Sequence, residues 1–186
     1  MVEIDIVADR LRAQGTRQLV VAGHSLGGAA TLRYGATRDN VGGLILISAG
    51  WNPETRRWQD IVGESVRRAG DMVTAGRGSE TDSFQYVTND GKSGTVIAHA
   101  KGFFDFNRPD SPVALADSAH AFKRAVPVLW FSASGDSSPH KQMSKTAFNA
   151  LPSHPHSEYA VVNASHREAV TAVISPISAW LDRVRR

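Results

Sequence analysis

The sequence predicts an α/β fold built on a mainly parallel sheet of about four strands flanked by helices, and three observations predict it. Gln18–Ala22, Gly43–Ser48, Val126–Ser132 and Ser157–Val162 are short runs rich in aliphatic and β-branched residues, as in strands covered on both faces. Segments with helical spacing alternate with these runs, which calls for right-handed crossovers between parallel strands. A chain of 186 residues, 41% of them hydrophobic, can also fill a packed core of its own, so a single domain over 1–186 is expected.

The elements follow in order. Val2, Ile4, Ile6, Val7 and Leu11 recur at helical spacing and Gly15 suits a C-cap, so residues 2–14 read as an amphipathic helix lying on the sheet. The strand Gln18–Ala22 is followed by a helix from Ser25 to near Arg38, and then by the strand Gly43–Ser48. After the strands at 126–132 and 157–162, Ala169 to Val184 reads as a closing helix that Pro176 kinks or restarts.

Residues 51–125 are too long for an ordinary crossover. They carry helix-like pieces near 54–75 and 112–125, and part of them is expected to form a helical cap over the sheet. Phe103, Phe104 and Phe106 cluster there, either as local packing or as the lining of an apolar acyl pocket.

Composition removes several classes of function. The net charge is +3, but Lys and Arg are scattered and only Arg183, Arg185 and Arg186 cluster, as at a solvated helix end, so no nucleic-acid partner is expected. Without cysteine there is no disulfide, thiolate metal site or thiol nucleophile, and the redox compartment is left open. No run approaches the roughly 18 apolar residues of a membrane span, and no export signal is visible, which makes a cytoplasmic location the default. There is no internal repeat or low-complexity tract.

The chemistry is concentrated in Gly23-His24-Ser25-Leu26-Gly27-Gly28, which follows a strand directly and opens a helix. This is the context of a G-x-S-x-G nucleophile elbow. So sharp a turn requires small residues two before and two after the serine, which accounts for Gly23 and Gly27, while Gly28 lets the helix approach its neighbours. The turn raises the Ser25 hydroxyl above the sheet, and the helix N-terminus favours the negative charge of acyl transfer.

Serine needs a base, and the base an orienting acid. Both should lie just past the C-terminal ends of later strands. Asp136 meets that test after Val126–Ser132, and His166 meets it after Ser157–Val162. The rivals fit less well. His154 and His156 precede their strand and belong to a surface turn rather than a metal pair, and His140 follows Pro139 at the start of a helix. His24 diverges from the nucleophile as pocket wall or packing. Asp105 and Asp110 have no strand before them and read as solvated loop carboxylates.

The elbow and the two strand-loop positions resemble the α/β-hydrolase superfamily, in the chain order Ser, Asp, His that it uses. The likeness covers residues 2–50 and 126–186, with the middle as a variable cap. It implies a truncated or minimal α/β-hydrolase fold and a serine esterase that cleaves small carboxylic esters with Ser25, His166 and Asp136, without metal or cofactor. It also implies that the Leu26 N–H donates to the oxyanion. Two alternatives stay open: an acyltransferase or thioesterase with the same residues, and a hydrolase-like binding module without activity.

The sequence departs from the family in one respect. The usual domain has about eight strands, several of them before the elbow, and takes its second oxyanion donor from a loop after the third. None of these precedes Met1, so the chain is either a fragment or a minimal hydrolase. The strand at 18–22 therefore has an open edge, which is expected to form a homo-oligomer or to be covered by Met1–Gln14 or the middle segment.

Overall fold

The computed structural model describes residues 2–87 and 92–185 and divides the chain into two compact units, 1–51 with 115–186, and 52–114. The first unit contains α1 (Val2–Ala13), β1 (Val20–His24), α2 (Leu26–Thr37), β2 (Gly43–Ile47), α5 (Leu115–His120), β5 (Val128–Ala133), α6 (Ser138–Asn149), β6 (Glu158–Val162), α7 (Ala169–Ala172) and α8 (Ile174–Val184). The second contains α3 (Arg56–Thr74), β3 (Thr81–Val87), β4 (Ser93–His99) and α4 (Ala100–Asn107).

In the first unit the four strands are all parallel, in the order β1-β2-β5-β6. Alternation along β2 and β5 divides the core into two layers. Leu44, Leu46, Val128 and Trp130 face Ala29 and Leu32 of α2, Leu115 and Ala119 of α5, and Ala147 of α6. Ile45, Ile47, Leu129, Phe131 and Ala133 face Ala169, Val173 and Trp180. Every residue of β2 and β5 is buried, as continuous apolar runs demand.

β1 extends two residues beyond the expected strand, because Gly23 and His24 continue its ladder opposite Leu46 and Ile47. It lies at a sheet edge, and its residues are only partly buried. α1 covers less than its sequence spacing suggested: Ala8 is buried and Ile4 packs on the core, but Val2, Ile6 and Val7 are 68%, 63% and 57% exposed. The closing helix is interrupted after Ala172 and restarts at Ile174, with Pro176 in the first turn of α8, where a missing N–H costs nothing.

The second unit adds a pair of strands to the helices expected of the insertion. β3 and β4 form an antiparallel hairpin in register from Thr81 opposite His99 to Val87 opposite Ser93. α3 presents Val62, Val66, Ala69 and Met72 at helical spacing to a core shared with Phe84, Ala100 and Phe103. Phe103 stacks on Phe84 with ring centroids 4.4 Å apart, so its side chain belongs to local packing. Phe104 and Phe106 are half-buried on α4. Asp105 lies on that helix and pairs with Lys101 at 2.7 Å, while Asp110 pairs with Arg108. Among the described residues, no helix is long and apolar enough to cross a membrane.

Candidate active site

A parallel sheet brings the C-terminal ends of its strands to one side, and here each of the four ends carries a polar residue. Ser25 follows β1, Ser48 follows β2, Asp136 lies in the turn after β5, and His166 follows β6.

Ser25 is the N-cap of α2 with φ 54°, a left-handed conformation uncommon for a residue with a Cβ. Its N–H is bonded to the Ile47 carbonyl at the end of the neighbouring strand, so the sheet itself fixes the turn. Close packing explains two of the surrounding glycines. A Cβ on Gly23 would lie 2.2 Å from the Gly27 carbonyl oxygen, and one on Gly28 would lie 2.6 Å from Ala49 Cβ. Gly27 departs from expectation, because a Cβ there would meet nothing within 4 Å. The crowding lies between α2 and the two strand ends, and Gly27 points away from it.

The Ser25 hydroxyl oxygen is 3.0 Å from His166 Nε2, and His166 Nδ1 is 2.6 Å from Asp136 Oδ1. With its proton on Nδ1, the ring donates to the carboxylate and accepts from the serine, and the shorter bond has the length of a charge-assisted one. The Asp136 side chain is almost fully buried. Burial would raise its pKa, but the His166 bond, the neighbouring charge of His140, the Ser48 hydroxyl and the Ala133 N–H outweigh it and hold the carboxyl below its ordinary value. Leu26, the first residue of α2, has an N–H without an intrahelical acceptor by position alone.

With the strand-end geometry established, comparison with solved structures identifies the fold. A carboxyl esterase from Bacillus coagulans superposes with a TM-score of 0.67 at 14% identity, over 98% of this chain and 70% of that one. The esterase domain of a Rhodothermus marinus protein gives 0.59 at 18% identity, over 97% and 68%. A monoacylglycerol lipase from Paleococcus ferrophilus gives 0.59 at 18%, over 97% and 74%. The chain has the α/β-hydrolase fold. No protein-family model and no curated protein matches the sequence. In these comparisons the likeness is one of backbone, and a fold alone does not assign a reaction.

Around the α/β-hydrolase strand ends, three further side chains complete the site. His24 Nε2 is 2.9 Å from the His166 carbonyl oxygen, with the two rings 4.9 Å apart, so His24 packs against the loop that carries His166. His140 lies beside Asp136, with Nε2 3.7 Å from Oδ2 and its ring edge-on to His166 at 5.9 Å. Burial lowers the His140 pKa, against the opposing pull of Asp136. The ring fits because residue 50 is glycine: a Cβ there would lie 2.0 Å from His140 Cε1. Ser48 is buried with φ 44°, and its hydroxyl oxygen accepts from the Ala133 N–H at 3.2 Å.

Sequence reasoning gave His24 as pocket wall or packing and His140 as the start of a helix after Pro139, and it passed over Ser48. The four-residue spacing from Asp136 to His140, at the start of a helix capped by Ser137, brings the two side chains together. Among the described residues, Asp136, His140 and His166 form a cluster whose possible metal-ligand atoms lie within 4.8 Å of one another. Within that cluster the 2.6 Å separation of His166 Nδ1 and Asp136 Oδ1 is a hydrogen bond. His154 and His156 precede β6, at the other end of the sheet, with their rings 5.7 Å apart.

Proposed function

We propose that the protein is a serine hydrolase that cleaves small carboxylic esters, with Ser25 as nucleophile, His166 as base and Asp136 as the orienting acid. The observation that carries this reading is the unbroken hydrogen-bond chain from the Ser25 hydroxyl through the His166 ring to the buried Asp136 carboxylate. The esterase and lipase names of the fold neighbours agree with it.

In the proposed reaction the Ser25 oxygen attacks the ester carbonyl while His166 Nε2 takes its proton. Asp136 keeps the ring in the tautomer with Nδ1 protonated and stabilises the imidazolium. The carbonyl oxygen becomes an oxyanion that accepts from the Leu26 N–H. As the carbon–oxygen bond breaks, His166 returns the proton to the departing alkoxide, leaving the acyl group on Ser25. Water then attacks that ester while His166 takes its proton, and the bond to the Ser25 oxygen breaks as His166 returns the proton to that oxygen, releasing the acid.

A fluorophosphonate probe together with p-nitrophenyl acetate tests the proposal. Wild type should be labelled and turn over, whereas Ser25→Ala should not be labelled and should lose at least about 10³-fold in kcat. A wild type that neither labels nor turns over would leave the binding module. Acyl transfer to an added alcohol exceeding hydrolysis would indicate a transferase. A second copy covering the β1 edge belongs to the same proposal, and light scattering that gives a monomer at micromolar concentration removes it.

A further inference from the structure

Ser48 is the one strand-end residue of the four that the proposed reaction does not use, and its backbone and side chain make conflicting demands. At φ 44° it occupies a region where glycine sits freely and a side chain is penalised. It is fully buried, and its N–H donates to the Phe131 carbonyl at 2.7 Å, so the β2–β5 ladder fixes this conformation. A glycine would satisfy every backbone requirement at this position, so what the serine adds is its hydroxyl. That hydroxyl accepts the Ala133 N–H at 3.2 Å and is one of the groups that hold the Asp136 carboxyl below its ordinary value. The same Ala133 N–H donates to Asp136 Oδ2 at 3.0 Å, so the Ser48 hydroxyl and the carboxylate meet at one shared donor.

On this geometry we infer that Ser48 is a positioning residue of the active site, whose hydroxyl fixes the Asp136 carboxylate in the orientation that aligns His166. The inference rests on the esterase reading above. Asp136 Oδ1 is taken by His166 at 2.6 Å, and the single N–H that holds Oδ2 is shared with the Ser48 oxygen. A Ser48 hydroxyl proton turned toward Oδ2 adds an anchor from the neighbouring strand. His140 closes the same corner, with its Nε2 3.7 Å from Asp136 Oδ2. Ser48 is thus fully buried and strained at the strand end beside the acid, and strain so placed is found at functional sites.

Ser48→Gly separates function from structure, because it removes the hydroxyl while relieving the backbone. Kinetics on p-nitrophenyl acetate should show kcat lowered about 10- to 100-fold, the range for losing a hydrogen bond to a charged group, with KM within about twofold of wild type. The melting temperature should be equal to that of wild type or higher. Ser48→Ala, which keeps the strain and loses the hydroxyl, should show the same loss of kcat. In an Asp136→Ala background, Ser48→Gly should change the rate by less than about twofold, read from fluorophosphonate labelling where turnover is slow. Full kcat in Ser48→Gly, or an equal loss with and without Asp136, overturns the inference and leaves the esterase reading intact. Full kcat in Asp136→Ala removes the proposed acid and the role of Ser48 with it.

Discussion

In the sheet unit, polar side chains are joined across long stretches of sequence, whereas in the 52–114 unit most are joined to near neighbours. Ser25 and His166 are 141 residues apart, Ser48 and Ala133 are 85 apart, and the Ser144 hydroxyl reaches the Ala49 carbonyl across 95. In the second unit, Asn107 donates to the Phe103 carbonyl four residues away and Ser111 to the Asp105 carbonyl six away. Gln85 is bonded to Ser65 across 20, and Gln59 reaches the Asn107 carbonyl across 48. Local bonds can form as soon as a turn forms, while the site exists only once all four strands are in register. The strand-end groups therefore report on completion of the whole sheet, and the second unit reports mainly on its own core.

The largest expected effect tests that separation. Phe84 is fully buried and stacked on Phe103, so Phe84→Ala should cost about 3–5 kcal/mol of local stability through the cavity it leaves. Amide hydrogen exchange should accelerate across α3, β3 and β4, with β2 and β5 unchanged. Equal acceleration in β2 and β5 would mean that the chain opens as one cooperative body, and the comparison would fail.

The same contrast decides what was legible in the sequence. β2 and β5 could be read because each is buried on both faces and so carries an unbroken apolar run. The hairpin was missed because Thr81-Asp-Ser-Phe-Gln-Tyr-Val87 has a single buried residue, Phe84, and its other positions are polar or half-exposed. The Asp90-Gly91 pair between two alternating runs was the available signal, and both residues lie outside the described ones. In the site, strand-end logic named Ser25, Asp136 and His166, and the structure brings their side chains within hydrogen-bond distance. Ser48 escaped because a serine after a strand is unremarkable until its φ and its partner are known. Gly27 was assigned crowding that belongs to Gly23 and Gly28, since spacing alone does not show which way each residue faces.

A smaller effect sharpens the comparison within the sheet unit. Gly28 touches Ala49 across the fold, and Gly28→Ala would force two Cβ atoms to 2.6 Å. Urea denaturation should show a loss of about 1–3 kcal/mol. Gly27→Ala, one residue away in open space, should fall within about 1 kcal/mol of wild type on the stabilising side, because alanine favours the helix. Equal damage from both would place the constraint in the local turn and not in the long-range contact.

The smallest effect sets one ion pair against another. In the sheet unit Asp5 and Arg38, 33 residues apart, form a two-pronged pair at 2.9 and 2.7 Å, and the Arg38 hydrogen bond holds the Asp5 carboxyl down to about 2 from its ordinary 3.8. In the second unit Lys101 and Asp105 are one helical turn apart at 2.7 Å, with the lysine side chain 66% exposed. A carboxyl whose folded pKa is depressed contributes stability above its unfolded pKa and loses it as pH falls through the folded value. Asp5→Asn should therefore lower the melting temperature at pH 6, and the gap from wild type should close between pH 3.8 and about 2. Asp105→Asn should shift it less at pH 6, since an exposed i,i+4 pair stabilises a helix only slightly. If the Asp105 variant lost as much as the Asp5 variant, reach across the sequence would no longer distinguish the polar contacts of the two units.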